Sequence, residues 1–231
     1  MLKLLVVAAV LVASVSASSP CCGPSQYMGV LETLVGEVFP GLEPIGANIL
    51  QVGAWDYKNR RFGFVIFEIS GNSASYPYKL IQDYGKATQW IIDEGNKTCT
   101  KLITTPPEPT VCIPDDATFS GRVSIGGNGT DSIIADIWSK IYHEGTNTAS
   151  QSITVRHKDC FPIRSQFMGT NNEMGAPYPR ILSSGWFNIT IGIPKPDDWF
   201  TVPSYCNQQE IISAKTAIPR YISELYFQKF F

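Results

Sequence analysis

Phe62-Gly63-Phe64-Val65-Ile66-Phe67-Glu68-Ile69 is rich in aromatic and β-branched residues and has no proline. That composition predicts a strand. Side chains along a strand point to opposite faces in turn. Phe62, Phe64 and Ile66 therefore point one way, and Val65, Phe67 and Ile69 the other. A strand with one wet face alternates more cleanly than this. The sheet that holds it is covered on both sides, or one of its sides lines an apolar cavity. Asn48–Ala54 is a second strand, and Trp55-Asp56-Tyr57-Lys58-Asn59-Arg60-Arg61 is the polar turn that makes the two a hairpin.

The same pattern continues outward from this hairpin. Gly29–Gly36 reads as an earlier strand. Tyr78–Asp83 and Ala87–Asp93 form a second hairpin around Asp83-Tyr84-Gly85-Lys86, and Thr98–Thr104 follows. Thr105–Pro114 is a proline-rich loop. Phe119–Ile125 and Ser150–His157 are strands, and β-branching favours strand over helix for Asp131–Trp138. Ser165–Gly175 reads as polar and irregular. Arg180–Ile193 is a strand pair or one long bent strand. Three prolines keep Ile193–Cys206 from being a helix or a central strand, so it reads as a strap over the sheet. Asn207–Ala217 has weak helical character, and Arg220–Phe231 is a docked helix or a tail. Many short strands with polar turns predict an all-β sandwich or partly open barrel with antiparallel neighbours.

Residues 1–17 have the form of a secretory signal: Lys3, an apolar run Leu4–Val12, and Val15-Ser16-Ala17 for cleavage. The remaining chain reads as one β domain, 18–206, and an aromatic extension, 207–231. Charge is balanced, with 18 Lys and Arg against 20 Asp and Glu. There is no basic stripe for nucleic acid. Six cysteines, Cys21, Cys22, Cys99, Cys112, Cys160 and Cys206, fit an oxidising compartment and three disulfides. Asn96, Asn128 and Asn188 each begin an N-x-S/T glycosylation sequon. A glycan on Asn188 would turn Trp186, Asn188 and Thr190 outward, and Phe187, Ile189, Ile191 and Ile193 inward.

Catalytic chemistry is hard to build from these residues. Only His143 and His157 are available as bases, and no G-x-S-x-G elbow occurs. Asp115/Asp116 and Asp197/Asp198 are adjacent pairs, which on a strand point apart. No catalytic residue is assigned. Asp115, Asp116, Asp131 and Asp136 are weak candidate ligands for calcium, a hard cation suited to carboxylates. Five Trp and twelve Phe exceed what a small core needs and point to an apolar pocket. Its candidate wall is Phe62, Phe64, Ile66, Trp90, Phe187, Ile189 and Ile191.

Several segments in order resemble the ependymin family. They are Trp55-Asp56 through Asn59-Arg60-Arg61; Asp83-Tyr84-Gly85 leading to Asn96-Lys97-Thr98-Cys99; and Ser124-Ile125-Gly126-Gly127 with Trp138. Lys158-Asp159-Cys160-Phe161-Pro162, Phe187–Gly192 and Phe200-Thr201-Val202-Pro203-Ser204-Tyr205-Cys206 complete the set. The resemblance runs over roughly Cys21–Cys206. It implies two antiparallel sheets curved into a half-barrel with a deep apolar pocket, like bacterial lipoprotein carriers; the short C-terminal helix expected here lies beyond the family's usual end. It also implies a secreted, non-enzymatic glycoprotein, often a homodimer, with hydrophobic or lipid ligands, calcium binding and cell–matrix adhesion. The lysosomal lumen is a further location that it allows. The family pattern pairs Cys21 with Cys160 and Cys99 with Cys206, which leaves Cys22 and Cys112 for each other. A structural or adhesive matrix glycoprotein with no small-molecule ligand is the alternative reading.

Overall fold

The computed structural model describes residues 19–70, 73–74, 77–103, 109–127, 129–144, 147–171 and 177–206. The leader, Asn128 and the segment 207–231 lie outside the described residues, so the expected signal cleavage and C-terminal helix do too. The strands are β1 (Gln26–Glu37), β2 (Ile45–Asp56), β3 (Arg61–Ser70), β4 (Ser73–Ala74), β5 (Tyr78–Asp83) and β6 (Thr88–Asp93). They continue as β7 (Thr98–Ile103), β8 (Thr118–Ile125), β9 (Ile133–Glu144), β10 (Asn147–Arg156), β11 (Pro162–Asn171) and β12 (Tyr178–Ile191). Helix α1 (Pro196–Phe200) and a short 3-10 turn (Ser204–Cys206) follow. The all-β expectation holds. The two expected sheets are instead one continuous antiparallel sheet, in the order β7-β6-β5-β3-β2-β1-β12-β11-β10-β9-β8, with β4 beside β3. β1 and β12 are hydrogen-bonded neighbours over most of their length, so the ladder does not break between halves.

Two other expectations change. Ser165–Gly175, expected to be irregular, instead continues β11 as far as Asn171. Its polar composition hides a strand because partners on both sides, β10 and β12, supply the ladder. The strap, expected to be non-helical, holds one turn of helix. Pro196 sits in the first turn, where its missing N–H costs no hydrogen bond.

The β2–β3 hairpin is tied off by one carboxylate. Asp56 is fully buried. It accepts bonds from the backbone N–H of Asn59 (3.1 Å), Asn59 Nδ2 (2.8 Å), Arg61 Nε (2.9 Å) and Gln26 Nε2 (2.8 Å). The turn and the start of β1 thus share one acceptor. Burial alone would raise the Asp56 carboxyl, but these bonds outweigh it and hold it below its ordinary range.

One face of the sheet carries the core. Tyr27, Leu31 and Val35 of β1, Ile49 and Trp55 of β2, and Phe62, Phe64 and Ile66 of β3 belong to one buried cluster. It extends to Tyr78 and Leu80 of β5 and to Leu182 and Trp186 of β12. We call this the inner face. On the outer face, α1 lies over β3. A methyl group on Gly63 would come 2.5 Å from the Trp199 carbonyl oxygen, so only glycine lets the strap approach this closely. Cys206 closes the strap by bonding Cys99 of β7, over Ile81 and Ile92.

Removing the Asp56 acceptor tests its role. Asp56→Ala should cost about 2–4 kcal/mol in urea unfolding at pH 7, because several donors lose a buried partner. A depressed carboxyl stabilises the fold above its unfolded pKa, and that contribution disappears as pH falls through the lower folded value. The gap between variant and wild type should therefore shrink below about pH 4.

Candidate functional site: the inner face and its cleft

The inner face starts from a cluster of aromatics near the β2–β3 turn. Tyr27 stacks on Trp55, with ring centroids 5.0 Å apart, and meets the edge of Phe161 at 5.0 Å. Trp55 packs on Phe64, and Phe62 lies edge-on between Tyr57 and Tyr84. Burial raises the Tyr27 phenol well above its ordinary value and pushes Tyr57 up to about 12. Both rings are therefore neutral at physiological pH and contribute an apolar body with a polar tip.

Beyond the aromatics, the same face becomes polar. Thr33 and Ser184 hydroxyls meet at 3.0 Å across β1 and β12. Tyr142 donates to Gln151 at 2.9 Å, whereas the Gln82-to-Gln89 bond at 3.0 Å lies back at the aromatic end, with Gln82 opposite Phe62. Arg180 and Glu37 form a buried ion pair at 2.8 Å, and Glu68 is buried with its carboxyl raised by desolvation. The ring cluster near the β2–β3 turn and the polar groups toward Glu37 thus share the inner face, with Gln82 and Gln89 among the rings and the Phe39–Tyr178 pair beside the Arg180 end.

A cleft opens beside the aromatics. Tyr27, Tyr57 and Trp186 line one wall, and Thr110, Val111, Cys112 and Ile113 line the other. Ile153, Val155 and Cys160 lie between. Its cavity volume is about 20 Å³, room for a water-sized group and not for a whole chain. A larger guest needs the 110–113 wall to move.

An ependymin sequence profile matches residues 72–206. The chain belongs to the ependymin family. Development-specific protein LVN1.2 of Lytechinus variegatus is 34% identical over 174 residues, which is 73% of this chain and 90% of that one. Mammalian ependymin-related protein 1 of Rattus norvegicus is 26% identical over 195 residues, 81% of this chain and 76% of that one. A LolA superfamily protein from Nitrosomonas europaea has a TM-score of 0.29 and 10% identity, covering 76% of this chain and 90% of that one. A DUF1329 family protein from Desulfovibrio piger has the same score and identity, over 77% and 90%. Likenesses this loose carry no argument about the site.

Within this ependymin fold three disulfides form: Cys21–Cys160, Cys22–Cys112 and Cys99–Cys206. These are the pairs that the resemblance implied and the pair that it left over. Of the expected pocket wall, Phe62, Phe64 and Ile66 are buried on the inner face, and Ile189 packs against the same cluster. Trp90 does not join them. It pairs with Ile81 and Lys101 on the outer face and packs near the strap, while Ile91 takes the inward position.

Phe187 and Ile191 are exposed and Trp186 is buried, the reverse of their expected facing, whereas Asn188 and Thr190 face out and Ile189 faces in as expected. Trp186 is 7% exposed and Phe187 49%. The inference assumed an unbroken period of two. The β1–β12 register shifts between Met28 and Val30, and Asn188 there has φ 49°, the signature of a bulge. The extra residue lets Trp186 and Ile189 face inward on either side of it. Asn188 remains exposed, as does Asn96 in the β6–β7 turn.

The candidate calcium ligands are not brought together. Asp136 is buried between Arg122 Nε (2.6 Å) and His157 Nδ1 (2.8 Å), and Asp116 pairs with Lys140 at 2.9 Å. Asp115 and Asp131 are exposed. No cluster of three or more His, Cys, Asp or Glu occurs among the described residues. The hydrogen bond from Arg122 holds the Asp136 carboxyl low, with His157 assisting. This carboxylate is therefore already compensated by the Arg122 guanidinium and hydrogen-bonded to His157 rather than open to a metal.

The outer face holds a feature that the sequence reading left open. Leu34, Leu50, Phe67, Ile69, Ile141, Met168 and Ile181 are all exposed there. Leu50 lies opposite Phe67, Ile181 opposite Met168, and Ser150 opposite both Met168 and Ile141, so they share one face. The strap covers the other end of that face and leaves these residues bare.

Substitutions on β12 check the reversed facing. Trp186→Ala should cost about 3–5 kcal/mol in thermal or urea unfolding, as for a buried aromatic. Phe187→Ser should change stability by about 0.5 kcal/mol or less. Equal effects at the two sites would contradict the bulge.

Proposed function

We propose that this chain is a secreted, glycosylated, non-catalytic carrier of hydrophobic molecules, which it holds along the inner face of its sheet. The observation that carries the reading is the inner face itself. Its ring cluster adjoins a cleft, and Thr33, Ser184, Glu37 and Arg180 place hydrogen-bonding groups toward the other end of β1 and β12. That arrangement suits an amphiphile with an apolar chain and a polar end. The wall at Thr110–Ile113 displaces to admit the chain. Each methylene buried contributes about 0.8 kcal/mol, so a chain of about sixteen supplies about 13 kcal/mol, which offsets an association cost of about 5 kcal/mol and leaves roughly micromolar binding.

Secretion is supported by the signal-like residues 1–17, the sequons and the three disulfides. Among the described residues no helix is long and apolar enough to cross a membrane. No assembled carboxylate set there supports calcium control. Asp136 and His157 are both engaged with Arg122, which supports a structural role for this group.

The bare outer face supports a homodimer. Seven exposed side chains present on the order of 500 Å² of apolar surface, at the upper end of what a monomer shows. With their small and polar neighbours they approach the roughly 800 Å² per partner of a stable interface. Two such faces can stack as sheets about 10 Å apart. A second copy fits better than an anionic membrane, because Glu32 and Asn48 lie among these residues rather than a basic cluster.

Titrating solvent-stripped protein with a fluorescent long-chain fatty acid should give saturable, one-to-one binding in the micromolar range. Unlabelled long-chain amphiphiles should displace it, and short water-soluble analogues should not. Non-saturable binding would remove the carrier reading. In sedimentation equilibrium the wild type should be dimeric at micromolar concentration. Leu34→Glu/Ile181→Glu should be monomeric with an unchanged circular dichroism spectrum. A monomeric wild type would remove the dimer.

A further inference from the structure

The wall that closes the cleft is fastened in an unusual way. Cys22 and Cys112 sit directly opposite each other in an isolated antiparallel bridge outside the main sheet, with Cα atoms 3.9 Å apart. One backbone bond flanks the pair on each side: Gly23 N–H to the Val111 carbonyl (3.0 Å) and Ile113 N–H to the Cys21 carbonyl (2.8 Å). Val111, Cys112 and Ile113 turn their other side to the cleft. The bridge is therefore a latch on the cleft wall, with two hydrogen bonds beside it.

The three disulfides differ in access. Cys99 and Cys206 are buried beneath the strap, and Cys160 is buried with Cys21 half-covered. Cys22 is exposed and Cys112 half-covered. Exchange requires a thiolate to reach a sulfur, so exposure selects this bond. The two covered bonds also span the chain elsewhere, from the N-terminal segment to the β10–β11 turn and from β7 to the strap. Opening Cys22–Cys112 leaves both in place.

We propose that Cys22–Cys112 is a thiol-exchange site whose opening releases the cleft wall. The co-reactant is a small thiol of the glutathione class. Its thiolate attacks Cys22 Sγ, the Cys22–Cys112 bond breaks, and a mixed disulfide forms on Cys22. Cys112 leaves as a thiolate and takes up a proton. A second thiol resolves the mixed disulfide, so the protein gains two electrons and the two small thiols are oxidised to their disulfide. The 110–113 segment is then held by its two hydrogen bonds and by the packing of Ile113 against Trp138, Ile153 and Val155, and it swings out more readily than with the bridge closed. That consequence for ligand entry rests on the carrier reading above, whereas the exchange and the release of the wall do not.

The test uses the intact secreted protein under native conditions in reduced glutathione. Timed samples are trapped with an alkylating mass tag and mapped as peptides. Cys22 and Cys112 should open about tenfold faster than the other four cysteines, with glutathione on Cys22 and the tag on Cys112. Earlier opening of either other bond, or opening of all three only on unfolding, would overturn the proposal. Hydrogen exchange reads the wall without any ligand. The Gly23 and Ile113 amides should exchange about tenfold faster once the bridge is open, while β1 and β12 amides stay protected. Cys22→Ser/Cys112→Ser should show the same fast amides with no thiol present. Unchanged exchange in both the reduced protein and the variant would show that the bridge is no latch. A failure of fatty-acid binding would instead count against the carrier reading alone.

Discussion

A single open sheet has two faces to cover and one chain to cover them with, and the rest of this structure answers that constraint. The β2–β3 hairpin creates it, because its strands are apolar on both sides. Phe62, Phe64 and Ile66 lead into the inner core, while Phe67 and Ile69 are left on the outer face. The chain covers part of that outer face with its own strap. Gly63 permits the close approach of Trp199, and the Cys99–Cys206 bond beneath holds the strap down. The other end stays bare, which is why a partner belongs there in the account given above.

On the inner face, packing and chemistry are linked through strand parity. The positions that alternate with buried aromatics are themselves buried, whether apolar or not. Gln51, Gln82 and Gln89 take inner positions, and hydrogen bonding between neighbours such as Gln82 and Gln89 reduces the cost of burial. A purely packed core has little use for such groups. A surface that must hold one end of an amphiphile does. The small size of the cleft puts the burden of entry on the 110–113 wall, and the wall is attached to the N-terminal segment by one accessible disulfide.

Much of the architecture was legible because strand signals are local. The hairpins around Asp56 and Asp83 follow from polar turns between β-rich runs, and the structure contains both. Features that depend on neighbours were not legible. β11 reads as polar and irregular until β10 and β12 flank it. The bulge at Asn188 adds one residue to β12, and no hydrophobic pattern announces it, so Trp186 and Phe187 were placed on the wrong sides. Trp90 was assigned to the pocket by residue type, although its parity with Ile92 takes it under the strap. The inner glutamines carried a usable signal, since Gln51 lies two residues from Ile49 and four from Trp55 on one strand face. Composition alone hid them.

The central claim is that the inner face holds a hydrophobic guest. Native mass spectrometry of the gently purified secreted protein, paired with organic extraction of the same sample, addresses it most directly. The account predicts adducts in addition to the glycans, lost on extraction and recovered in the organic phase as amphiphilic molecules. A single protein mass explained by chain and glycans alone, with nothing extracted, would contradict it.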